Sequence, residues 1–334
     1  MKRALYSEAK VVVIGGGTGS FVVLSGLKRY FRKITALVSM ADDGGSTGQL
    51  RDELGALPPG DVRQCLVALS DSPRVRDLFN YRFEDGSLKG HAFGNLFLTA
   101  LEKMTGSFAE AVEEASRVLA ITGRVEPISL DPIHMTIETA KGKVIKGQFE
   151  GAHCDFEGAA KPQLHLEGSP RLNPAAKKAI EEADLIVIAP GSLYTSIAPA
   201  LIVDGVSEAL SRATAKKMYV CNLVTKPGQT DGFSVADYVS EIERFAGISL
   251  DYVIYNDSPP SPKLLEKYAH DHEYPVKVTQ AEFVKAGYTA VGANLVARHV
   301  WTGASSADPI AEVRSYIRHD GDVLARTLLQ LYLR

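Results

Sequence analysis

Val11-Val12-Val13-Ile14 runs straight into Gly15-Gly16-Gly17-Thr18-Gly19. The arrangement recurs where Leu185-Ile186-Val187-Ile188 passes through Ala189 into Pro190-Gly191-Ser192-Leu193-Tyr194-Thr195. A short, continuously apolar run bounded by turn residues reads as a strand buried on both faces. Helical patterns follow both turns, so the expected architecture is a parallel sheet with right-handed crossovers and helices on both sides. A helix starting just past such a turn exposes free N–H groups at the positive end of its dipole. Two such turns, in the two halves of one sheet, imply a cleft for a nucleotide or nucleoside diphosphate gripped from both sides.

The 334 residues suffice for a large α/β unit. We expect a single Rossmann-like domain over 1–334: three layers, α/β/α, with a mostly parallel sheet and a small antiparallel β insert. A net charge of −3 gives no reason to expect nucleic acid or an anionic membrane as partner. No apolar run approaches the ~18 residues of a membrane span. The first strand is too short for a signal-peptide core and leads into glycines, not a cleavage site. Cys65, Cys154 and Cys221 are odd in number and lack CxxC spacing, which reads as free thiols in a reducing compartment. The expected location is the cytoplasm, and a homo-oligomer is expected.

Along the chain, a helix is predicted over about Phe21–Tyr30 and a second strand over Ile34–Met40. Capping-box spacing occurs at Ser46/Gln49, Asp61/Gln64 and Ser107/Glu110. Period-two alternation then begins at Arg124, turns at Lys141-Gly142 and returns, so 124–168 reads as the antiparallel insert. Asn173-Pro174 opens the next helix. Further strands are expected at Leu185–Ala189, Met218–Asn222, Tyr252–Tyr255 and Val276–Val278.

The first glycine turn is not a dinucleotide fingerprint, because Ser20 stands where the third glycine belongs. It also lacks the Gly-Lys-Ser/Thr of a phosphate loop. A nicotinamide-dependent dehydrogenase and an ATPase are therefore disfavoured. Gly16, Gly17, Thr18 and Gly19 still allow a ligand to approach the main chain. Asp42-Asp43-Gly44-Gly45-Ser46 follows the second strand, where a carboxylate binds a ribose or a cation. Asp42 and Asp43 are the candidate catalytic residues and Asp43 the candidate magnesium ligand, although either can instead close an Asx turn. Arg51 and Arg63 are placed to oppose an anion. His91 and Asn95 stand at a helix start, suited to a base or phosphate, or to capping. Gly191, Ser192, Leu193, Tyr194 and Thr195 are assigned to the second phosphate side, with Tyr194 free to stack or to hydrogen-bond. Asn222 ends a strand beside Lys226 and either lines the cleft or supports a loop. His153, Cys154 and His165 lack a fourth ligand at zinc spacing. Trp301 reads as packing. No nucleophile–base pair is visible in the sequence.

The segments GGGTG, ADDGGSTGQLR, PPGDVRQCLVAL, HAFGNLFLTAL, PGSLYTSI, YVCNL and IRHD stand in this order between Val11 and Leu333. Together they resemble the YvcK-type gluconeogenesis-factor family of the CofD-like superfamily. That resemblance implies a cytoplasmic bacterial protein with a Rossmann-like three-layer fold. It also implies binding of nucleotide sugars such as UDP-N-acetylglucosamine and a role in gluconeogenic growth, cell shape and cell-wall synthesis. Tyr268 and Arg318 are implied contacts of the sugar nucleotide. The related CofD enzymes imply the alternative: magnesium-dependent transfer of a phospholactyl or phosphoenolpyruvyl group from a nucleoside diphosphate donor. Those enzymes carry a Ser-Asn-Pro-like stretch where this chain has Ser192-Leu193-Tyr194. Regulatory binding without turnover is the leading expectation.

Overall fold

The computed structural model describes residues 8–156, 161–297 and 318–334. Trp301 lies outside them. The first half runs β1 (Lys10–Gly15), α1 (Gly17–Leu27), β2 (Lys33–Val38), α2 (Gly45–Leu54), α3 (Gly60–Leu69), α4 (Pro73–Asn80), α5 (Phe93–Thr105), α6 (Phe108–Leu119) and β3 (Arg124–Pro127). Then come β4 (His134–Glu138), β5 (Val144–Lys146), the short helix α7 (Gln148–His153) and β6 (Gln163–Glu167). The second half has α8 (Pro174–Glu181), β7 (Leu185–Ile188), a π-helical turn (Leu193–Ile197), α9 (Ala198–Leu201), α10 (Val206–Arg212) and β8 (Lys216–Val220). It closes with α11 (Val235–Ala246), β9 (Tyr252–Asn256), α12 (Pro262–His270), α13 (Gln280–Phe283), β10 (Thr289–Ala293) and α14 (Gly321–Tyr332).

The seven-stranded sheet is parallel throughout, ordered β10-β9-β8-β7-β1-β2-β3. Strand order therefore reverses between β1 and β7, which pair directly, Val11 with Leu185 through Ile14 with Ile188. In open α/β sheets the ligand crevice opens outside the carboxyl ends of the strands at such a reversal. The two apolar runs earn these central positions by burial: Val11 to Ile14 and Leu185 to Ile188 are all at most 1% exposed. Their β-branched side chains suit a strand covered on both faces. The insert is a separate antiparallel sheet, β5-β4-β6.

Several boundaries differ from expectation. Helix α1 starts at Gly17, four residues before Phe21, so the glycines form its first turn. The insert starts after 124, because Arg124–Pro127 pairs in parallel with β2 as the edge of the main sheet. Val276–Val278 is not a strand; it lies among isolated bridges, and the opposite edge is β10, paired with β9. Ser46 and Asp61 cap no helix, since α2 and α3 start earlier, at Gly45 and Gly60. Ser107 and Asn173 do cap, accepting from the N–H of Glu110 and Ala175. Among the described residues no helix is long and apolar enough to cross a membrane.

Candidate functional site

The turns after β1 and β7 lie against each other. A Cβ on Gly19 would stand 1.7 Å from the carbonyl oxygen of Pro190, and one on Gly15 would stand 3.1 Å from the Ala189 Cβ. Glycine is thus required because two backbones meet. Gly17 also takes a left-handed φ of +64°. On the other side of Gly16, a Cβ would stand 2.1 Å from Asp61 Oδ2. Asp61, read from its spacing only as a helix cap, is a member of this site that sequence reasoning missed.

The second turn is held from outside. The Asn222 side chain accepts the Gly191 N–H (3.2 Å) and donates to the Gly191 carbonyl (2.8 Å). Ser192 then opens the π-helical turn, its carbonyl accepting from Ser196 and Ile197 at 2.9 and 3.1 Å. Such turns are rare and concentrate at functional sites. Leu193, Tyr194 and Thr195 are buried here. The Tyr194 ring packs edge-on against Phe156 and Phe245, so it belongs to the core and not to a stacking platform. Burial, and then the nearby Glu241 carboxylate, push its phenol well above the ordinary range. The hydroxyls of Ser20, Ser39 and Thr195 are buried without a partner.

After β2, Asp42 Oδ1 accepts the Gly44 N–H at 3.2 Å, an Asx turn. Burial raises the Asp42 carboxyl, and the neighbouring Asp43 charge adds to it. Asp43 faces the insert: its oxygens accept the N–H groups of Gln148 (3.0 Å) and Phe149 (2.7 Å), capping α7. Arg51 lies 3.9 Å from the same carboxylate. Each Asp43 oxygen thus holds one main-chain N–H of the insert. No cluster of three His, Cys, Asp or Glu side chains suited to a metal exists among the described residues. His153, Cys154 and His165 form none. Arg63 is buried and donates to Asn80 Oδ1 (2.8 Å) and the Phe79 carbonyl, so it anchors α4.

The sequence separates Ser46 from His91 and Asn95, and the fold unites them. Ser46 Oγ is 3.0 Å from His91 Nδ1 and accepts from Asn95 Nδ2 at 3.3 Å. The pair could not be seen in the sequence because 45 residues separate its members.

The helices meeting here share one property. The N-termini of α1, α2, α3 and α5 and of the π-helical turn carry no side-chain cap; their cap positions are Gly16, Gly44, Pro59, Ala92 and Ser192. Of the other helices, α4, α6, α8, α11 and α14 are capped by Ser72, Ser107, Asn173, Ser234 and Asp320, whereas α9, α10, α12 and α13 have no side-chain cap either. Gly60 abuts Asp42 and Thr47, and Gly16 abuts Asp61, so the uncapped ends adjoin. First-turn N–H groups without a side-chain cap thus adjoin here, the feature that anion sites at helix N-termini use.

Tyr268 and Arg318 belong to segments that return to the exit of β8. Tyr268 is buried in α12, whose following residues pair with Thr225 and Val224. The Arg318 carbonyl accepts from Ala297, and its neighbour His319 bonds the Cys221 carbonyl through Nε2 at 3.1 Å. Burial pushes His319 down to about 4, so it is neutral at pH 7. Past the end of β8 a cavity of about 240 Å³ is lined by Asn222, Tyr255, Asn256 and Pro260, among others.

Comparison with known proteins agrees with this architecture. Residues 11–296 match the family model described as 2-phospho-L-lactate transferase CofD. A gluconeogenesis factor from Halalkalibacterium halodurans is 41% identical over 286 residues, covering 84% of this chain and 87% of that protein. One from Listeria innocua is 37% identical, covering 97% and 96%. The crystal structure of a UPF0052 family member from Bacillus halodurans superposes with a TM-score of 0.86 at 36% identity, covering 96% of this chain and 99% of that one.

Proposed function

The chain belongs to the gluconeogenesis-factor family, within the CofD fold family, and we propose that it binds a nucleotide sugar of the UDP-N-acetylglucosamine class. In this reading it acts as a cytoplasmic regulator of gluconeogenic growth, cell shape and wall synthesis. The observation that carries it is the contact of Gly19 with Pro190, which sets two uncapped helix starts side by side at the sheet's reversal point. The diphosphate lies between the turns, near the N–H groups of Gly17 to Gly19 and of Ser192. Ribose or sugar hydroxyls reach Asp42, while Arg51 adds positive charge. Each helix-terminal contact contributes ~0.3–1 kcal/mol, rising to ~2 when partly buried.

A second reading, transfer of a phosphorylated acyl unit from a nucleoside diphosphate donor, is favoured by the description of the matching family model. There Asp43 would hold the metal from its place against α7. A thermal-shift panel of UDP-sugars, GDP and GTP, each with and without Mg²⁺, separates the two. Binding predicts a clear rise in melting temperature with a UDP-sugar, since ligand at a hundredfold excess over Kd stabilises by ~2.7 kcal/mol. No rise with any of them would overturn the binding reading. Nucleoside monophosphate release that needs both metal and an acceptor, and is lost in Asp43→Ala while UDP-sugar binding persists, would establish the transferase instead.

A further inference from the structure

We propose that Ser46 is a nucleophile served by His91 and directed at the phosphorus of a diphosphate ester, an activity that rests on reading the crevice as a diphosphate site. Four observations carry it. Ser46 is not used as a cap, because α2 already begins at Gly45, so its hydroxyl is available for other work. Its Oγ is 3.0 Å from His91 Nδ1, the reach required between a nucleophile and its base. Asn95, only 2% exposed, donates to the same oxygen at 3.3 Å, while its own Oδ1 is buried without a partner. Finally, Ser46 sits in the first turn of α2, where the main-chain bond from Gly48 to Gly44 is the first in the helix. The N–H groups of Gly45, Ser46 and Thr47 thus precede the ladder and can receive the charge developing on phosphoryl oxygens.

In the step, the Ser46 Oγ–P bond forms as the bridging P–O bond to the nucleoside monophosphate breaks. The hydroxyl proton passes to Nδ1 of a His91 whose hydrogen is on Nε2, and the nucleoside monophosphate leaves with the bonding pair. Water then attacks the phosphorus of the resulting seryl phosphodiester, and the P–Oγ bond breaks. Oγ takes back its proton from the His91 imidazolium, water's proton goes to solvent, and the remaining monophosphate ester leaves. Asp43 and Arg51 take no part in the proton transfer.

The test is incubation of the full chain with a fluorophosphonate, followed by peptide mass spectrometry. Attack by Ser46 expels fluoride and leaves a stable phosphonyl ester. The expected result is one adduct, on Ser46, absent from Ser46→Ala and formed about a hundredfold more slowly in His91→Gln, the lower end of what a general base supplies. Absence of the adduct from the folded wild type, or an unchanged rate in His91→Gln, overturns the proposal. If His91→Gln unfolds, His91→Asn takes its place under the same criterion. A UDP-sugar thermal shift run in parallel keeps the readings apart. A shift without labelling sinks the nucleophile alone. Labelling without a shift sinks the diphosphate reading on which the proposal rests, and the proposal with it.

Discussion

The turn after β1 and the turn after β7 look alike on paper, yet they are maintained by different means. The first holds its shape because its glycines leave no room for a side chain: Gly19 meets the Pro190 carbonyl and Gly16 meets Asp61. The second holds its shape because something outside grips it, Asn222 from the end of β8, with His319 fastened to the adjoining Cys221. The first half of the crevice is therefore sensitive to added volume. The second is sensitive to loss of a polar partner and, through His319, to acid. A crevice walled in these two ways can keep its glycine side rigid while its other side changes with the surroundings of β8.

The largest effect is expected where the two walls touch. Gly19→Ala puts a Cβ 1.7 Å from a main-chain oxygen that no rotamer can move away. We expect a loss of about 3 kcal/mol, at the upper end of overpacking, in place of the usual ~1 kcal/mol gain for alanine in a helix. Urea unfolding measures it; an unchanged midpoint would show that the two turns do not touch.

Next is the acid response of the second wall. His319 is held near 4 in the fold against an ordinary 6.5, so the unfolded chain binds the proton first. This stability is intact above pH 6.5 and is lost as the pH falls toward 4. The full window is worth about 3 kcal/mol, because each pKa unit corresponds to ~1.4 kcal/mol. Unfolding free energies at pH 7 and pH 4.5 should differ by markedly less in His319→Gln than in the wild type. Equal differences would remove His319 from the comparison.

The smallest effect sharpens the contrast between steric and tethered turns. Asn222→Ala leaves both polar groups of the Gly191 peptide without their partner, for about 2 kcal/mol. Native-state hydrogen exchange should show the Gly191 amide losing protection while Val12 and Val13 keep theirs. Protection lost equally at all three would mean that one cooperative unit holds both turns.

Much of the frame was legible from local signals. The β-branched runs at Val11 and Leu185 named the two central strands, because burial on both faces demands continuous apolar sequence. Ser107 and Asn173 announced helix starts, because a cap acts within a few residues. The same logic misled at Ser46, where α2 begins a residue before it at Gly45. It also misled at Arg124, where alternation characteristic of a hairpin belongs to a parallel edge strand whose partner is β2. The sequence Thr289-Ala-Val-Gly-Ala carries too little β-branched character to declare an edge strand, and only its pairing with β9 makes it one.

Within the site, composition identified which residues gather at the crevice, and distance decided what each does. Asp43 caps a helix of the insert 105 residues away, Tyr194 turns into the core beside Phe156, and Asn222 grips Gly191 across 31 residues. The amino-acid sequence alone determined a parallel α/β sheet with two glycine turns beside its central strands. Periodicity and turn chemistry act between near neighbours and survive in any string of letters. Whether those turns meet, which carboxylate is already engaged, and that Ser46 finds His91 were decided by tertiary structure alone. Such contacts depend on the order of strands in the sheet, a property no local stretch of the chain contains.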